Sequence, residues 1–210
     1  MKKAKEYILM MLTAALLCCI VACNLPANND PLEEKQDPEM TTLKQEFTNF
    51  RNAVYQGNIR ATKSFMQFPV LNTNNDIWYM VLNEQEQQFR KINSQKIIPF
   101  TEADLTLYYR KIFPKAFVIS LLKINTDTLF KKGSASSRAN AEDSITNYSM
   151  DVFYDKEVGR LSLNLFYRRQ MKDGYGNDVR GDENNVIYNF NIKRDGRLLF
   201  NHIRIAAQTR

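Results

Sequence analysis

VIYNFNIKRDGRLLFNHIRI, residues 186–205, decides the fold of this chain. Asp195-Gly196 reads as a two-residue β-hairpin turn, a dipeptide that accepts positive φ and matches the twist of the flanking strands. Pairing Arg194 with Arg197 sets Ile192 opposite Leu199, Tyr188 opposite Ile203 and Val186 opposite Ile205, so one face is almost wholly apolar. Phe190 opposite Asn201 is the single mismatch. A one-residue slip would send every apolar side chain to the solvent face, so turn chemistry and residue pattern support the same register independently.

Working outward, the same period of two holds upstream. Tyr148, Met150, Val152 and Tyr154 alternate with polar residues, and Leu161, Leu163, Leu165 and Tyr167 do so beyond a turn around 156–159, which predicts another hairpin. Residues 171–185 join the two hairpins without periodicity and read as a long mobile loop of the kind that often carries contacts. The loop contains Arg180-Gly181-Asp182, an integrin tripeptide short enough to arise by chance. Oxygen ligands are plentiful there, but Tyr175 stands where a calcium loop needs Asp or Asn after Asp173, so no calcium site is expected.

Before residue 140 the period is 3.6. Thr42-Leu43-Lys44-Gln45 fits a capping box, and Leu43, Phe47, Phe50 and Val54 share one face of a helix over 42–56 that Gly57-Asn58 ends. A second amphipathic segment carries Ile59, Phe65 and Phe68 up to Pro69. Residues 77–82 read as a short strand or the start of a buried helix, and 84–91 are helix-prone. Thr101 caps a further helix that Pro114 kinks or divides, and Thr128 to Lys132 is a candidate extra strand. Helices followed by a meander predict an α+β domain, with N-terminal helices packed on a curved antiparallel sheet of four or more strands.

The N-terminus carries Lys2, Lys3 and Lys5, then an apolar run from Tyr7 to Ala22 that ends Ile20-Val21-Ala22-Cys23. The run falls short of the roughly 20 residues that cross a bilayer, and it has the layout of a secretory signal. Its end resembles the lipobox of bacterial lipoproteins. That resemblance implies cleavage after Ala22, a diacylglycerol on the Cys23 thiol and an acylated amine, and more than one acyl chain makes a lasting anchor. The expected organisation is a signal peptide at 1–22, the acylated cysteine and a disordered tether at 23–40, and a single α+β domain at 41–210. Residues 24–27 intervene between Cys23 and the first acid, Asp30. A surface-export signal would place acids closer to the cysteine, so the periplasmic face of the outer membrane is expected. All three cysteines lie at or before position 23, which excludes disulfides, a thiol nucleophile and cysteine-ligated zinc from the mature domain.

The chain has 29 basic and 23 acidic residues. Taking away three lysines and one glutamate in the signal, and one lysine and five acids in the tether, leaves 25 against 17. Such a balance suits anionic partners such as lipid headgroups, acidic glycans or an acidic protein face, and in an envelope protein nucleic acid is not among them. Scattered basic residues also serve solubility, and charged strand ends suppress aggregation. Arg168, Arg169 and Lys172 cluster at a strand end, and Lys193, Arg194 and Arg197 at the Asp195-Gly196 turn. Partner contacts are therefore expected at Arg168, Arg169, Lys172, Tyr175, Arg180, Asp182, Arg194 and Arg197. His202, the one histidine, faces Asn189 with no carboxylate beside it on the hairpin, and reads as structural or solvated. No metal and no cofactor is expected.

Element order, the Phe-rich opening helices, Ile98-Pro99-Phe100-Thr101 ahead of the central helix and the closing hairpins resemble the nuclear transport factor 2-like (cystatin-like) cone over about residues 42 to 207. They also resemble small envelope lipoproteins of unassigned role that share it. Enzymes of this superfamily place Asp, His or Tyr acid-base groups inside the cone, and no such set maps onto this chain. The functional expectation is a non-enzymatic, lipid-anchored module that binds another envelope protein, for instance as an accessory to a trans-envelope complex such as a type VI-like secretion apparatus. A carrier of a small apolar ligand in the cone is the alternative, and an enzyme stands third. Oligomeric state is left open.

Overall fold

The computed structural model of the chain describes residues 38–208 except 94, 144, 173, 176 and 177; Cys23, the signal and the tether up to residue 37 lie outside them. Residues 37–210 form one compact unit. Among the described residues seven α-helices come first: α1 (Pro38–Tyr55), α2 (Ile59–Lys63), α3 (Asp76–Val81), α4 (Glu84–Phe89), α5 (Glu102–Ile112), α6 (Lys115–Leu122) and α7 (Thr126–Lys132), with a 3-10 turn at Thr73–Asn75. Six strands follow: β1 (Ser134–Ser136), β2 (Asn140–Ala141), β3 (Thr146–Asp155), β4 (Arg160–Lys172), β5 (Asp178–Ile192) and β6 (Leu198–Gln208). They form one antiparallel sheet in the order β1-β3-β4-β5-β6, with β2 also paired to β3. The α+β expectation thus holds in its coarse form, helices first and packed against an antiparallel sheet.

Several local expectations are corrected. Helix α1 starts at Pro38, because proline's fixed φ and missing N–H are tolerated in a first turn. Residues 38–40 therefore belong to the helix and not to the tether. Thr42 then lies inside the helix, where its hydroxyl donates to the Pro38 carbonyl at 3.0 Å, and Gln45 donates to Asn49 at 2.9 Å, so no capping box forms there. Capping boxes form instead at Asn83 with Glu86 and at Thr101 with Asp104. Residues 77–81 are helical. Pro114 divides α5 from α6. Thr128 to Lys132 is helix rather than strand: Asn125 accepts from the Thr128 N–H at 2.8 Å, and Gly133 closes the helix at φ 77°.

Aromatic rings occupy the space between helices and sheet. Leu43, Phe47, Phe50 and Val54 are buried, as the helical spacing predicts. Phe50 meets Phe65, Phe113 and Phe190 edge-on at 5.5, 6.0 and 5.0 Å. Phe117 lies 4.3 Å from Tyr188, whose hydroxyl donates to the Ile112 carbonyl at 2.7 Å. A buried phenol needs such a partner, and this one takes the hydroxyl into the core without leaving it unpaired.

The β5–β6 hairpin corrects the expected turn and explains the expected mismatch. Lys193 N–H donates to the Arg197 carbonyl and Gly196 N–H to the Lys193 carbonyl, both at 2.9 Å, so the loop is Arg194, Asp195 and Gly196, with Gly196 at φ 79°. This is the three-residue alternative to a two-residue turn, and it displaces the register by one. Ile192 pairs with Leu198 and Phe190 with Phe200; an irregularity beside Asn189 then restores the expected pairs Asn189 with His202, Tyr188 with Ile203 and Val186 with Ile205. The bulge absorbs Asn201, and Phe190 meets the Phe200 ring at 5.5 Å. The turn also packs against α1: a Cβ at Gly196 would lie 2.8 Å from the Glu39 carbonyl oxygen and 2.9 Å from Thr42 Cβ. On the β3–β4 hairpin, Tyr148 with Tyr167, Met150 with Leu165, Val152 with Leu163 and Tyr154 with Leu161 pair across the strands.

Residues 171–185 are not a long loop. Strand β4 continues to Lys172 and β5 begins at Asp178, with Gln170 opposite Arg180, Met171 opposite Val179 and Lys172 opposite Asp178. Arg180-Gly181-Asp182 lies within β5, where two residues of that strand stand against Arg169 alone. At the other side of the sheet the outer edge of β6 is covered. Phe200 N–H donates to the Phe65 carbonyl and Ile203 N–H to the Asn72 side chain, both at 2.7 Å, and Asp76 accepts from Ile205. Asn75, left-handed at φ 58°, ties the same segment down by donating to the Asn93 and Lys96 carbonyls and accepting from Ile98.

Candidate functional site

The β3–β4 register that pairs Tyr148 with Tyr167 runs on to Asn147 opposite Arg168 and Thr146 opposite Arg169. A groove of about 530 Å³ opens at this end, with Asn147, Tyr148 and Ser149 of β3 on one wall, Arg168, Arg169 and Gln170 of β4 on the other, and Ala139 beside them. Arg168, Arg169 and Gln170 are exposed in succession, so both faces of β4 meet solvent here.

Arg168 is held on its strand by two contacts. Its Nε lies 3.1 Å from Glu183 Oε1, and its guanidinium sits 5.2 Å from the centre of the Phe166 ring. The Glu183 side chain is only 6% exposed, so that contact offsets part of the cost of burying its charge, and a guanidinium carries further N–H donors that suit a ligand. The Arg169 backbone pairs with Thr146, and its side chain makes no hydrogen bond among the described residues. The carboxylate of Asp143 acts on it through space. Asp143 itself accepts from the Ile145 and Thr146 N–H groups at 2.8 and 2.6 Å, which hold its carboxyl below the usual range. Burial raises the phenols of Tyr148 and Tyr167, and nearby Glu142 adds to both; Tyr167 is pushed up to about 12. Both stay protonated at neutral pH and can donate.

The groove therefore offers two guanidinium groups, phenol and amide donors and a hydroxyl, offset by Glu142, Asp143 and Glu183. Such a set suits a planar carboxylate presented from a partner, because arginine forks match that geometry with two parallel bonds. Among the described residues, no three His, Asp or Glu side chains are grouped to hold a metal ion.

Six of the expected contact residues lie at the groove or on the ribbon that β4 and β5 form beyond it. Arg168 and Arg169 line the groove. Lys172 pairs with Asp178, Arg180 with Gln170, and Asp182 lies at the register shift. Tyr175, in the connection between the strands, is 93% exposed. Arg194 and Arg197 are not part of this group: they sit at the opposite end of the sheet, where Arg197 Nε lies 2.7 Å from Asp195. Cys23 lies outside the described residues. Glu183, Asn147 and Ser149 were not expected. Extending the Tyr148–Tyr167 pairing by one residue finds Asn147, but Glu183 was read as loop and gave no signal.

His202 belongs to a separate polar row on the sheet. Ser162 Oγ donates to Asn189 Oδ1 at 2.8 Å, which turns the Asn189 amide N–H toward His202 Nε2 at 3.1 Å and makes the imidazole the acceptor. Burial lowers its pKa, Arg160 and Arg204 push the same way, and Asp76 opposes them. The carboxylate that the hairpin lacks thus comes from α3, and its effect is electrostatic.

No protein-family model and no curated protein matches the sequence. Among solved structures, the chain is similar to a candidate ketosteroid isomerase from Shewanella frigidimarina NCIMB 400, at 8% identity over 79% of this chain and 94% of that one, with a TM-score of 0.28. This is a weak, partial likeness to a protein of the ketosteroid isomerase fold, and a score so low carries no argument about activity.

Proposed function

We propose that this chain is a lipid-anchored envelope protein, acylated at Cys23, that binds another envelope protein through the β4–β5 ribbon and the groove at its base. The observation that supports this reading best is the groove itself. Arg169, its side chain unpaired by hydrogen bonds among the described residues, stands beside Arg168 where both faces of β4 are exposed. The domain in this reading is a cystatin-like cone with a filled interior, on the periplasmic face of the outer membrane. An accessory role in a trans-envelope machine, such as a type VI-like secretion apparatus, is one setting that fits. The partner's complementary feature is a carboxylate-bearing segment. The rings of Phe50, Phe113, Phe117 and Tyr188 lie where a carrier would keep its pocket, which favours surface recognition over ligand transport.

A photo-crosslinking amino acid at Arg169 or Tyr175, in the protein expressed in its own host, tests this. Adducts of one defined envelope protein are expected from both positions and not from Tyr55, which is 64% exposed elsewhere on the surface. Recovery of the unmodified lipoprotein alone, or the same adducts from Tyr55, would count against the ribbon. Cys23→Ser should abolish acyl mass and membrane fractionation together.

A further inference from the structure

We propose that the end of the sheet opposite the ribbon, around the β5–β6 turn, rests on an anionic lipid surface. This deepens the reading given above and rests on the acylation of Cys23.

Strand β4 has 13 residues, and at about 3.3 Å per residue it spans roughly 40 Å. Its Lys172 end carries the ribbon, and its Arg160 end adjoins both hairpin turns. The two turns are joined there, since Ile192 N–H donates to the Gly159 carbonyl at 2.8 Å. The end of α7 is at the same place, where Tyr154 N–H donates to the Gly133 carbonyl at 2.7 Å. The chain also enters the domain there, with Glu39 and Thr42 packed against Gly196.

This end is rich in exposed cations. Lys131 and Lys132 close α7, Arg160 opens β4, and Lys193, Arg194 and Arg197 surround the β5–β6 turn, all of them exposed. Asp155, Glu157 and Asp195 offset part of that charge, and Asp195 is taken up by Arg197 at 2.7 Å. Val158, at the tip of the β3–β4 turn, is 61% exposed among these charges. An apolar tip ringed by lysine and arginine matches the boundary between headgroups and acyl chains, where the apolar side chain is buried and the cations meet phosphates. Attraction of this kind acts over about 10 Å at 0.1 M salt, so it needs the domain held close. Fourteen residues separate Cys23 from Pro38, and even fully extended they reach at most roughly 50 Å.

The arrangement sorts the two basic clusters by task. Arg194 and Arg197 face lipid, and Arg168 and Arg169 stand a strand's length away from it, directed at the partner. Neither cluster then competes for the other's ligand.

The acylated mature protein, reconstituted into vesicles of phosphatidylcholine with or without phosphatidylglycerol, provides the test. Lipidation consumes the Cys23 thiol, so a single cysteine introduced by Val158→Cys or Gln170→Cys takes an environment-sensitive fluorophore specifically. With a headgroup-region quencher in the lipid, quenching at position 158 should exceed that at 170 several-fold in the phosphatidylglycerol vesicles. The excess should vanish in phosphatidylcholine alone, at high salt, and in the Lys193→Glu, Arg194→Glu double variant. Equal quenching at both positions, or indifference to phosphatidylglycerol, overturns the proposed orientation while leaving the anchor intact. A chain that carries no acyl mass and fails to float with vesicles overturns the anchor, and the orientation with it.

Discussion

At one end of the sheet the chain reverses through Gly159, in a loop bonded to Ile192, and through Gly196, in a loop pressed on α1. At the other, β4 and β5 run on as a paired ribbon, at whose base Arg168, Arg169 and Gln170 meet solvent on both faces of β4. The difference teaches where each end stores its information. At the turns, backbone shape is over-determined, so a substitution acts on stability. At the base of the ribbon, strand pairing holds the backbone while exposed side chains such as Arg169 and Gln170 can be chosen for contact, so a substitution there acts on binding.

The largest effect that separates the two ends is expected at Gly196. Alanine there must adopt φ near 79° with its Cβ 2.8 Å from a backbone oxygen, and a loss of about 2–4 kcal/mol follows from strain and overpacking together. Urea titration measures it, and a loss below about 1 kcal/mol would mean that the turn is not pinned on α1. Next comes Arg168→Ala, the ribbon-end change that does touch stability, because it strips the buried Glu183 carboxylate of a partner; about 1–3 kcal/mol is expected. Adding Glu183→Gln should return part of that loss, and a double variant no better than the single one would deny the coupling.

A smaller effect depends on pH. Burial lowers the pKa of His202 in the folded protein, whereas the unfolded chain takes up a proton near the ordinary value of 6.5. The unfolded state then binds more protons below that pH, so stability falls as pH drops through about 6.5. His202→Gln should flatten that limb of the profile. Asp76 acts in the opposite sense and at lower pH. Burial raises its pKa above 3.8, so the folded state holds the proton longer and stability falls as pH rises through that window. The smallest change is expected for Arg169→Ala, within about 0.5 kcal/mol of wild type in urea, yet with loss of the crosslinked partner. A stability change as large as that of Arg168→Ala would remove the contrast between the two arginines.

Alternation made the four long strands legible where one face is buried, because only burial writes a period of two into a sequence. It fails beyond Arg168, where strand pairing continues through Gln170 opposite Arg180 and Lys172 opposite Asp178 but the sequence shows no alternation, so the ribbon reads as a loop. Phe190 opposite Asn201 was the trace of a bulge, and reading Asp195-Gly196 as a two-residue turn hid it. The three-residue loop and the bulge cancel, which is why the distant pairs came out as expected and the near ones did not. Thr128 to Lys132, within α7, reads as a candidate strand because Leu129 and Phe130 sit in too short a run for periodicity to decide, although Asn125 and Gly133 mark the helix ends. At the candidate site, Arg168 and Arg169 were legible as clustered charge. Glu183 was not, because its importance comes from burial beside Arg168, which no local pattern encodes.

The covered margin of β6 has a consequence for how many copies can live side by side. Phe65, Asn72 and Asp76 already occupy hydrogen-bonding positions that a stranger's strand would need, and α3 stands over them. Crowding raises the rate at which neighbours collide, but a collision at this margin between Phe200 and Ile205 finds the positions taken, which denies strand addition a start there.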